Sequence, residues 1–482
     1  MSPPWEAPPR QPCHGRGGVG ARSVRRRAGS GTARRVTGTM ARMDTSVWRV
    51  LGRDGVGPAR DGDPLVAPAG SGVLDGETVA VKDLIAVAGR RVGAGNPAWL
   101  AQAPLEAAHA PAVARLAQAG AAITGIAQTE EFAWSLTGAN AHYGTPPNPA
   151  APGRISGGST SGPATAVAAG EVSIGLGTDT SGSIRVPAAY QGLWGFRPTH
   201  GAVSGEGVLP LAPSFDTVGW LTRDPDLLAR VGDVLLPPDP SATMSADRGD
   251  GSALDGRAAP TEAAASAPTE GLTPAPAAGA APFRRRLVPA RGLLDLAEPD
   301  VRSAVEAWLA GSTAAPALAV AGGAGLGAPP FTGLPDAWVQ AVRVVQAAEA
   351  WQAHGTWVAE HLGDLGPAVR GRFEFARSVT AEEAAAARGV AAEARSVIRE
   401  QVGDRVLVVP SASSVAPAAG DPDAAEAVRV ATVTLCATAV LGGLPAVSIP
   451  VRTAGGLPAG VCLVGPAGSD RGLLAMAARP TP

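Results

Sequence analysis

Lysine occurs once in the chain, at Lys82, although the chain holds 40 lysine and arginine residues in total. Most surface positions need only a cation, and arginine serves there as well as lysine. A guanidinium stays protonated in proteins, whereas the amine of a buried lysine can become neutral. The single lysine therefore indicates a site that requires a neutral amine, with chance retention as the alternative.

Two glycine- and serine-rich segments are the second chemical feature. ISGGSTSGPATAVAAG (155–170) and LGTDTSGSIRVPAAY (176–190) each place serines directly before a predicted helix. Backbone N–H groups at a helix N-terminus can stabilise a developing negative charge. Each segment alone is more simply explained as a turn. Together with Lys82, whose stem lies in the apolar strand VAVKD, they predict a serine nucleophile activated by a lysine base.

Other catalytic motifs do not fit the chain. The HExxH pattern of metalloproteases is absent, and the six histidines form no ligand cluster. Ser159 stands where a P-loop requires lysine, and Thr160 stands where a nucleophile elbow requires serine. The three cysteines lie far apart, which is typical of a reducing compartment and not of a disulfide framework: Cys13, Cys436 and Cys462.

The segments around these residues resemble those of the amidase signature family. VKD at 81–83, GGSTSG at 157–162 and GTDTSGSIRVPAAY at 177–190 are similar to its signature. The C-terminal segments GGLPAVSIPV and GLPAGVCLVG are similar to the family as well. The resemblance implies an α/β fold, a single large domain with a central mixed β-sheet covered by helices on both faces.

The resemblance covers roughly residues 65–235 and 284–478. It implies an amidohydrolase that cleaves a small carboxamide to a carboxylate and ammonia through an acyl-enzyme, without a metal or an organic cofactor. In this family a lysine, a serine in a cis peptide and a nucleophilic serine form the catalytic triad. The matching residues are Lys82, Ser159 and Ser183.

The loop before Ser183 carries the remaining residues that the resemblance implies. Its oxyanion hole would consist of the backbone N–H groups of Thr180, Ser181 and Gly182. Asp179 and Arg185 match positions that hold this loop in the family. A glycine directly before Ser183 permits close backbone approach to a substrate carbonyl, which favours Ser183 over Ser159 as the attacking serine.

Two further segments are similar to the plant-type indole-3-acetamide amidohydrolases and their bacterial relatives. They are GFRPTHGAVS (195–204) and VLPLAPSFDTVGWLTRDP (208–225). This branch implies a small, arylacetamide-like substrate. Three aromatic residues are predicted to line its pocket, with a place in the ordinary core as the alternative for each: Trp134, Tyr143 and Trp220.

Apolar periodicity predicts the elements that position these residues. Thr380 and Glu383 form a capping box that predicts a long helix ending near residue 402. Apolar runs without alternation, interleaved with helices, predict a mixed sheet that is covered on both faces. The predicted strands include 406–411, 446–451 and 460–465, and a helix is predicted over 108–120.

Two segments of the chain are low in large apolar residues, one at the N-terminus and one in the interior of the chain. Residues 1–43, with nine Arg and one Glu, are predicted to be a disordered N-terminal extension. An organellar transit peptide and a start assigned too early, with Met40 or Met43 as the true start, are the alternatives. Residues 44–482 are predicted to form the amidase domain, interrupted by a flexible Pro/Ala/Gly-rich insertion at 237–282.

The expected partner is a small-molecule amide, and a cytoplasmic location is expected. Residues 44–482 hold more acidic than basic residues, which gives no reason to expect a nucleic-acid partner. No apolar run reaches the roughly 18 residues of a membrane helix. A homodimer is left open. Two other functions remain alternatives: the glutaminase (A) subunit of a tRNA-dependent amidotransferase, and a catalytically inactive amidase fold used as a binding module.

Overall fold

Ten strands form one sheet in the computed structural model, which describes residues 43–52, 63–238, 285–312 and 333–478. The strands are β1 (Trp48–Leu51), β2 (Thr78–Lys82), β3 (Ala122–Ala127), β4 (Ile174–Thr178), β5 (Trp194–Arg197), β6 (Val218–Thr222), β7 (Leu287–Pro289), β8 (Val406–Pro410), β9 (Ala446–Arg452) and β10 (Pro458–Val464). Their order across the sheet is β1-β3-β2-β4-β6-β5-β9-β10-β8-β7. Strand β2 pairs in parallel with β3 and β4, and β7 with β8, whereas the other neighbours are antiparallel.

Twelve α-helices accompany the sheet in the described residues. They are α1 (Pro97–Gln102), α2 (Pro111–Gln118), α3 (Ser161–Ala168), α4 (Arg185–Gln191), α5 (Pro225–Leu235), α6 (Arg291–Leu294), α7 (Pro299–Gly311), α8 (Asp336–His361), α9 (Pro367–Ser378), α10 (Ala381–Val402), α11 (Pro422–Gly442) and α12 (Asp470–Ala477). Parallel neighbours cannot be joined by a tight turn, so the chain crosses through helices. Helix α2 lies between β2 and β3, and α3 lies between β3 and β4.

The alternation of side chains along β2 determines on which face of the sheet the Lys82 side chain lies. Val79 and Val81 pack into the cluster that also contains apolar residues of α2 and α5. Ala80 packs into a different cluster, together with α3. Side chains two residues apart in a strand share a face, so Lys82 lies on the same face as Ala80. The Lys82 side chain therefore lies on the face of the sheet against which α3 packs.

The predicted α/β class and mixed sheet are confirmed, and so are the predicted strands and helices. The capping box of α10 is complete, since Thr380 Oγ1 accepts from the Glu383 N–H at 3.1 Å and Glu383 Oε2 accepts from the Thr380 N–H at 2.9 Å. The predicted extension and insertion fall outside the described residues, except for Met43, Pro237 and Pro238. Their character stays a prediction.

Helix α11 was not predicted, although it is 21 residues long. In the described part of the chain it is the one helix whose length and composition suffice to cross a membrane, with a mean hydropathy of 1.5 over an 18-residue window. Half of that window is buried inside the protein. A core helix of a globular protein meets the same criterion, and the absence of a membrane partner stays a prediction.

The packing under β2 can be tested with two leucines of different exposure. Leu116 of α2 is fully buried in the cluster below Val79 and Val81, whereas Leu105 is 62% exposed. We expect Leu116→Ala to lower the free energy of unfolding by about 2–5 kcal/mol because it leaves a cavity in the core. The matched change Leu105→Ala should cost less than about 0.5 kcal/mol. Urea unfolding followed by tryptophan fluorescence measures both, and equal losses would contradict this packing.

Candidate active site

Lys82 lies at the end of β2 and is fully buried among hydroxyl groups. Its Nζ atom donates to Ser159 Oγ at 2.8 Å, to Thr178 Oγ1 at 2.8 Å and to Thr160 Oγ1 at 3.1 Å. A hydroxyl is a neutral acceptor, so these contacts satisfy the amine without supplying a counter-charge. Ser159 is the partner that the sequence predicted, whereas the contacts with Thr160 and Thr178 were not predicted.

Burial lowers the pKa of Lys82 to about 7, against the opposing effect of the carboxylates of Glu130, Asp179 and Asp216. The adjacent Asp83 does not restore the charge, because it forms an ion pair with Arg49 Nε at 2.8 Å. Neighbouring side chains of an extended strand point to opposite faces, so Asp83 points away from the face that Lys82 occupies. The amine can therefore exchange a proton near neutral pH.

Ser159 lies in the loop that leads into α3, and the peptide bond between Gly158 and Ser159 is cis. The side chain of Ser159 is fully buried beside Lys82. The loop abuts the second serine loop, since the Thr160 N–H donates to the Ser183 carbonyl at 3.3 Å. Within the described residues no hydrogen bond joins the hydroxyls of Ser159 and Ser183.

The carboxylate of Asp179 organises the loop that carries Ser183. It accepts from the N–H of Gly182 at 2.9 Å and from the N–H of Ile184 at 3.2 Å. Arg185 donates to it through Nε at 3.0 Å and Nη2 at 2.9 Å, and Arg197 Nη1 adds a bond at 3.0 Å. The loop is therefore wrapped around one carboxylate.

The charge of Asp179 is held by its two arginines. Burial by itself would raise the pKa of this carboxyl, but Arg185 and Arg197 together hold it below its usual value. Arg185 was predicted at this place, whereas Arg197, which lies at the end of β5, was not. The sequence gives little indication of a role for Arg197, because the segment GFR is typical of an ordinary strand end.

The backbone N–H groups of the Ser183 loop differ in what they can bind. Those of Thr180 and Ser181 have no acceptor among the described residues, and Thr180 Oγ1 donates to Asp216 Oδ1 at 2.6 Å. The N–H of Gly182 is already committed to Asp179. The prediction that Gly182 supplies an oxyanion donor is therefore corrected: its N–H holds the loop instead.

Gly182 nevertheless needs to be glycine. Its φ is +118°, a region that L side chains rarely adopt, and a Cβ there would lie 2.6 Å from Cys436 Sγ. The sequence analysis singled out this position for close backbone approach to a substrate. In the structure the close approach is to the Cys436 side chain on α11.

An open cavity of about 510 Å³ reaches this loop. Thr180, Ser181 and Ser183 line it, and most of the wall comes from α8, α9 and α11. Ser159 and Lys82 do not line it. Its other lining residues include Trp134, Leu211, Val342, Arg343, Gln346, Arg372, Phe375, Glu426 and Arg429.

Of the three aromatic residues predicted to line a pocket, the structure places one there. Trp134 is in the cavity wall and packs edge-on against Phe373, with ring centroids 4.9 Å apart. Trp220 is a core residue of β6, fully buried, and its Nε1 donates to the Leu228 carbonyl at 2.9 Å. Tyr143 lies outside the cavity, near Asp83. The predictions for Trp220 and Tyr143 are wrong, because apolar aromatic residues in strands and loops pack equally well elsewhere.

The described residues contain no group of three or more His, Cys, Asp or Glu side chains that could hold a metal ion. That no cofactor is required stays a prediction.

Comparison with known proteins gives one consistent family. The amidase family model matches residues 59–268. The chain is 36% identical to Amidase 1 of Arabidopsis thaliana over 427 residues, which is 84% of this chain and 92% of the relative. It is 37% identical to Amidase 1 of Oryza sativa subsp. japonica over 415 residues, 83% of this chain and 89% of the relative.

A solved amidase crystal structure is similar as well, with a TM-score of 0.64, 27% identity and coverage of 84% of each chain. The fold, the site and these relatives define a hydrolase that acts on amide C–N bonds. The chain belongs to the amidase signature family.

The structural role of the Asp179 carboxylate can be measured against an exposed ion pair. Asp179→Asn leaves two buried arginines without a counter-charge, so we expect a loss of about 3–5 kcal/mol in the free energy of unfolding. Asp295→Asn is the matched control, because its pair with Arg302 is exposed, and it should cost less than about 1 kcal/mol. Similar losses in urea unfolding for the two variants would show that Asp179 does not organise the loop.

Proposed function

We propose that this protein hydrolyses a small carboxamide to the carboxylate and ammonia through an acyl-enzyme on Ser183, with Ser159 and Lys82 as the proton relay. The observation that carries the proposal is the 2.8 Å hydrogen bond between Lys82 Nζ and Ser159 Oγ in a fully buried site. A serine needs a base to become a nucleophile. Lys82, with a pKa of about 7, can be that base.

Acylation begins when neutral Lys82 accepts the proton of Ser159. Ser159 in turn accepts the proton of Ser183, and the Ser183 oxygen bonds to the amide carbon. The direct bond between the two serines forms when substrate is bound, since such bonds are often absent from an empty site. The product of this step is a tetrahedral adduct with a negative oxygen.

The negative oxygen is stabilised by the free backbone N–H groups of Thr180 and Ser181. Each donor of this kind contributes roughly 3 kcal/mol to the transition state. The carboxylate of Asp179 fixes the loop by binding Gly182 and Ile184, so the donors need no reorganisation during the reaction. The loop therefore contributes to catalysis by holding these N–H donors in place before the reaction begins.

Breakdown of the adduct reverses the path of the proton. Lys82 returns it through Ser159 to the leaving nitrogen, the C–N bond breaks, and ammonia departs. Water then loses a proton to the same relay and attacks the acyl carbon, which releases the carboxylate and restores Ser183.

The assignment of attack to Ser183 rests on access. Ser183 lines the cavity, whereas Ser159 is fully buried and does not line it. A substrate carbonyl entering the cavity therefore meets Ser183 first. The cavity wall includes Trp134, Leu211 and Phe375, which suits the apolar part of an arylacetamide-like substrate. Ammonia release from aryl, aliphatic and dicarboxylic amides tests the activity directly.

A covalent probe distinguishes the two serines. We expect a sulfonyl fluoride to label Ser183 and to leave Ser159 free, because only Ser183 is reached from the cavity. Ser183→Ala should abolish labelling, whereas Ser159→Ala should slow it without moving the adduct. Peptide mapping by mass spectrometry locates the adduct. An adduct on Ser159 would reverse the two roles.

The pH dependence tests the base. Below a pKa of about 7 Lys82 is protonated and cannot accept a proton, so kcat/KM should rise with pH through this value and level off above it. Lys82→Arg should lower kcat/KM by more than about tenfold at every pH, because a guanidinium stays protonated. A circular dichroism melt checks that the variant folds. A wild-type profile that is flat across neutral pH would exclude Lys82 as the base.

A further inference from the structure

The two residues whose N–H groups would bind the oxyanion, Thr180 and Ser181, are anchored differently. The Thr180 hydroxyl donates to Asp216 Oδ1 at 2.6 Å. The other oxygen of Asp216 accepts from the N–H groups of Leu211 and Ala212 at 2.9 and 3.0 Å. Thr180 is therefore fixed to the loop that precedes β6. None of the hydrogen bonds of Asp216 reaches Ser181 in the described part of the chain.

Ser181 is anchored instead to helix α8. Its Oγ donates to Gln346 Oε1 at 3.2 Å, and this is the one side-chain hydrogen bond that Ser181 makes within the described residues. The amide side chain of Gln346 has no other hydrogen-bond partner there. Both residues line the cavity. The bond therefore joins the Ser183 loop directly to the cavity wall.

Helix α8 is itself attached to the loop that precedes β6, at two further points. The carboxylate of Glu349 accepts from the hydroxyl and the N–H of Ser214. His354 Nε2 donates to the Pro210 carbonyl at 2.7 Å. Glu349 is three residues beyond Gln346 and His354 is eight, about two helical turns, so the three side chains share one face of α8. The helix therefore holds Gln346 in a fixed position relative to the loops of the site.

The direction of the Ser181 N–H depends on the peptide that joins Thr180 to Ser181. The carbonyl of this peptide accepts from Arg197 Nη1 at a long 3.4 Å. A trans peptide is planar and carries its N–H opposite its carbonyl, so the Ser181 N–H points away from Arg197. Arg197 is fully buried, whereas the Ser181 side chain lines the cavity. Gln346 therefore restrains this part of the loop from the cavity side.

We propose that Gln346 is a positioning residue for the reaction: through its bond to Ser181 Oγ it holds the Ser181 N–H toward the oxyanion. The inference rests on the proposed function, since it adds a residue to the same site. A donor stabilises an oxyanion only when it points to the position that the negative oxygen will occupy. Gln346 acts through Ser181, so its effect falls on the transition state and not on binding of the neutral amide.

The test removes each end of the bond in the full chain, as Ser181→Ala and as Gln346→Met. Ammonia release is measured with phenylacetamide and with the fastest amide of the aryl, aliphatic and dicarboxylic series. We expect each change to lower kcat by about tenfold or more, which is less than the roughly 100- to 1000-fold loss of a whole donor. KM should change by less than about threefold, because the affected interaction is made only in the transition state.

A double-mutant cycle shows whether the two residues act through one bond. The variant that carries both changes should lose no more kcat than the worse single variant, because the second change removes nothing further. Ser181→Thr keeps a hydroxyl and should retain kcat within about threefold of wild type. The matched control is Gln352→Met, an exposed glutamine of α8 outside the cavity, which should leave kcat and KM unaltered.

Three results would overturn the inference and leave the proposed function standing: unchanged kcat in the two single variants, losses that multiply in the double variant, or a loss confined to KM. If wild-type protein releases ammonia from no amide and Ser183 is not labelled, the proposed function fails and the inference falls with it. If circular dichroism shows that Gln346→Met does not fold, the difference in kcat between Ser181→Ala and Ser181→Thr decides.

Discussion

The burial of one amine among hydroxyl groups is the constraint on which the arrangement of this site depends. Water keeps lysine protonated, so the protein must exclude water from Lys82 and still provide hydrogen-bond partners for its amine. Ser159, Thr160 and Thr178 do this without bringing a charge. Three separate segments, β2, the loop before α3 and the end of β4, must therefore meet at one atom. The parallel pairing of β2 with β4 places two of them side by side.

The second constraint is the buried negative charge of Asp179. Asp179 follows β4 directly, and its carboxylate is buried with Arg185 and Arg197. A buried carboxylate with two arginines stays ionised and can hold several N–H groups at once, which gives the Ser183 loop a defined shape. The same negative charge opposes the loss of a proton from Lys82, although burial is the larger effect. Burial therefore keeps the pKa of Lys82 near 7, while the two arginines keep the carboxylate of Asp179 ionised.

Much of this could be predicted because the relevant information is local. A lone lysine in an apolar strand, and serines between glycines at helix starts, indicate their chemistry through their immediate neighbours. The same holds for the capping box of α10. Helix α11 was not predicted, because threonines interrupt its apolar residues. Its burial depends on packing against distant segments, which the spacing of apolar residues along the chain does not describe. Trp220 and Tyr143 were misplaced since an aromatic residue carries no local mark of whether a core or a cavity receives it.

The sequence by itself determined the family, the α/β class, several of the strands and helices, and the candidate lysine and serines, because each depends on residues close together in the chain. Only the tertiary structure decided which groups share the cavity. Arg372 and Ser183 line the same cavity although they are 189 positions apart in the numbering. The N–H of Gly182 looked free in the sequence and is bonded to Asp179 in the fold. Partners and solvent exposure arise from long-range packing, which a local pattern of residues does not contain.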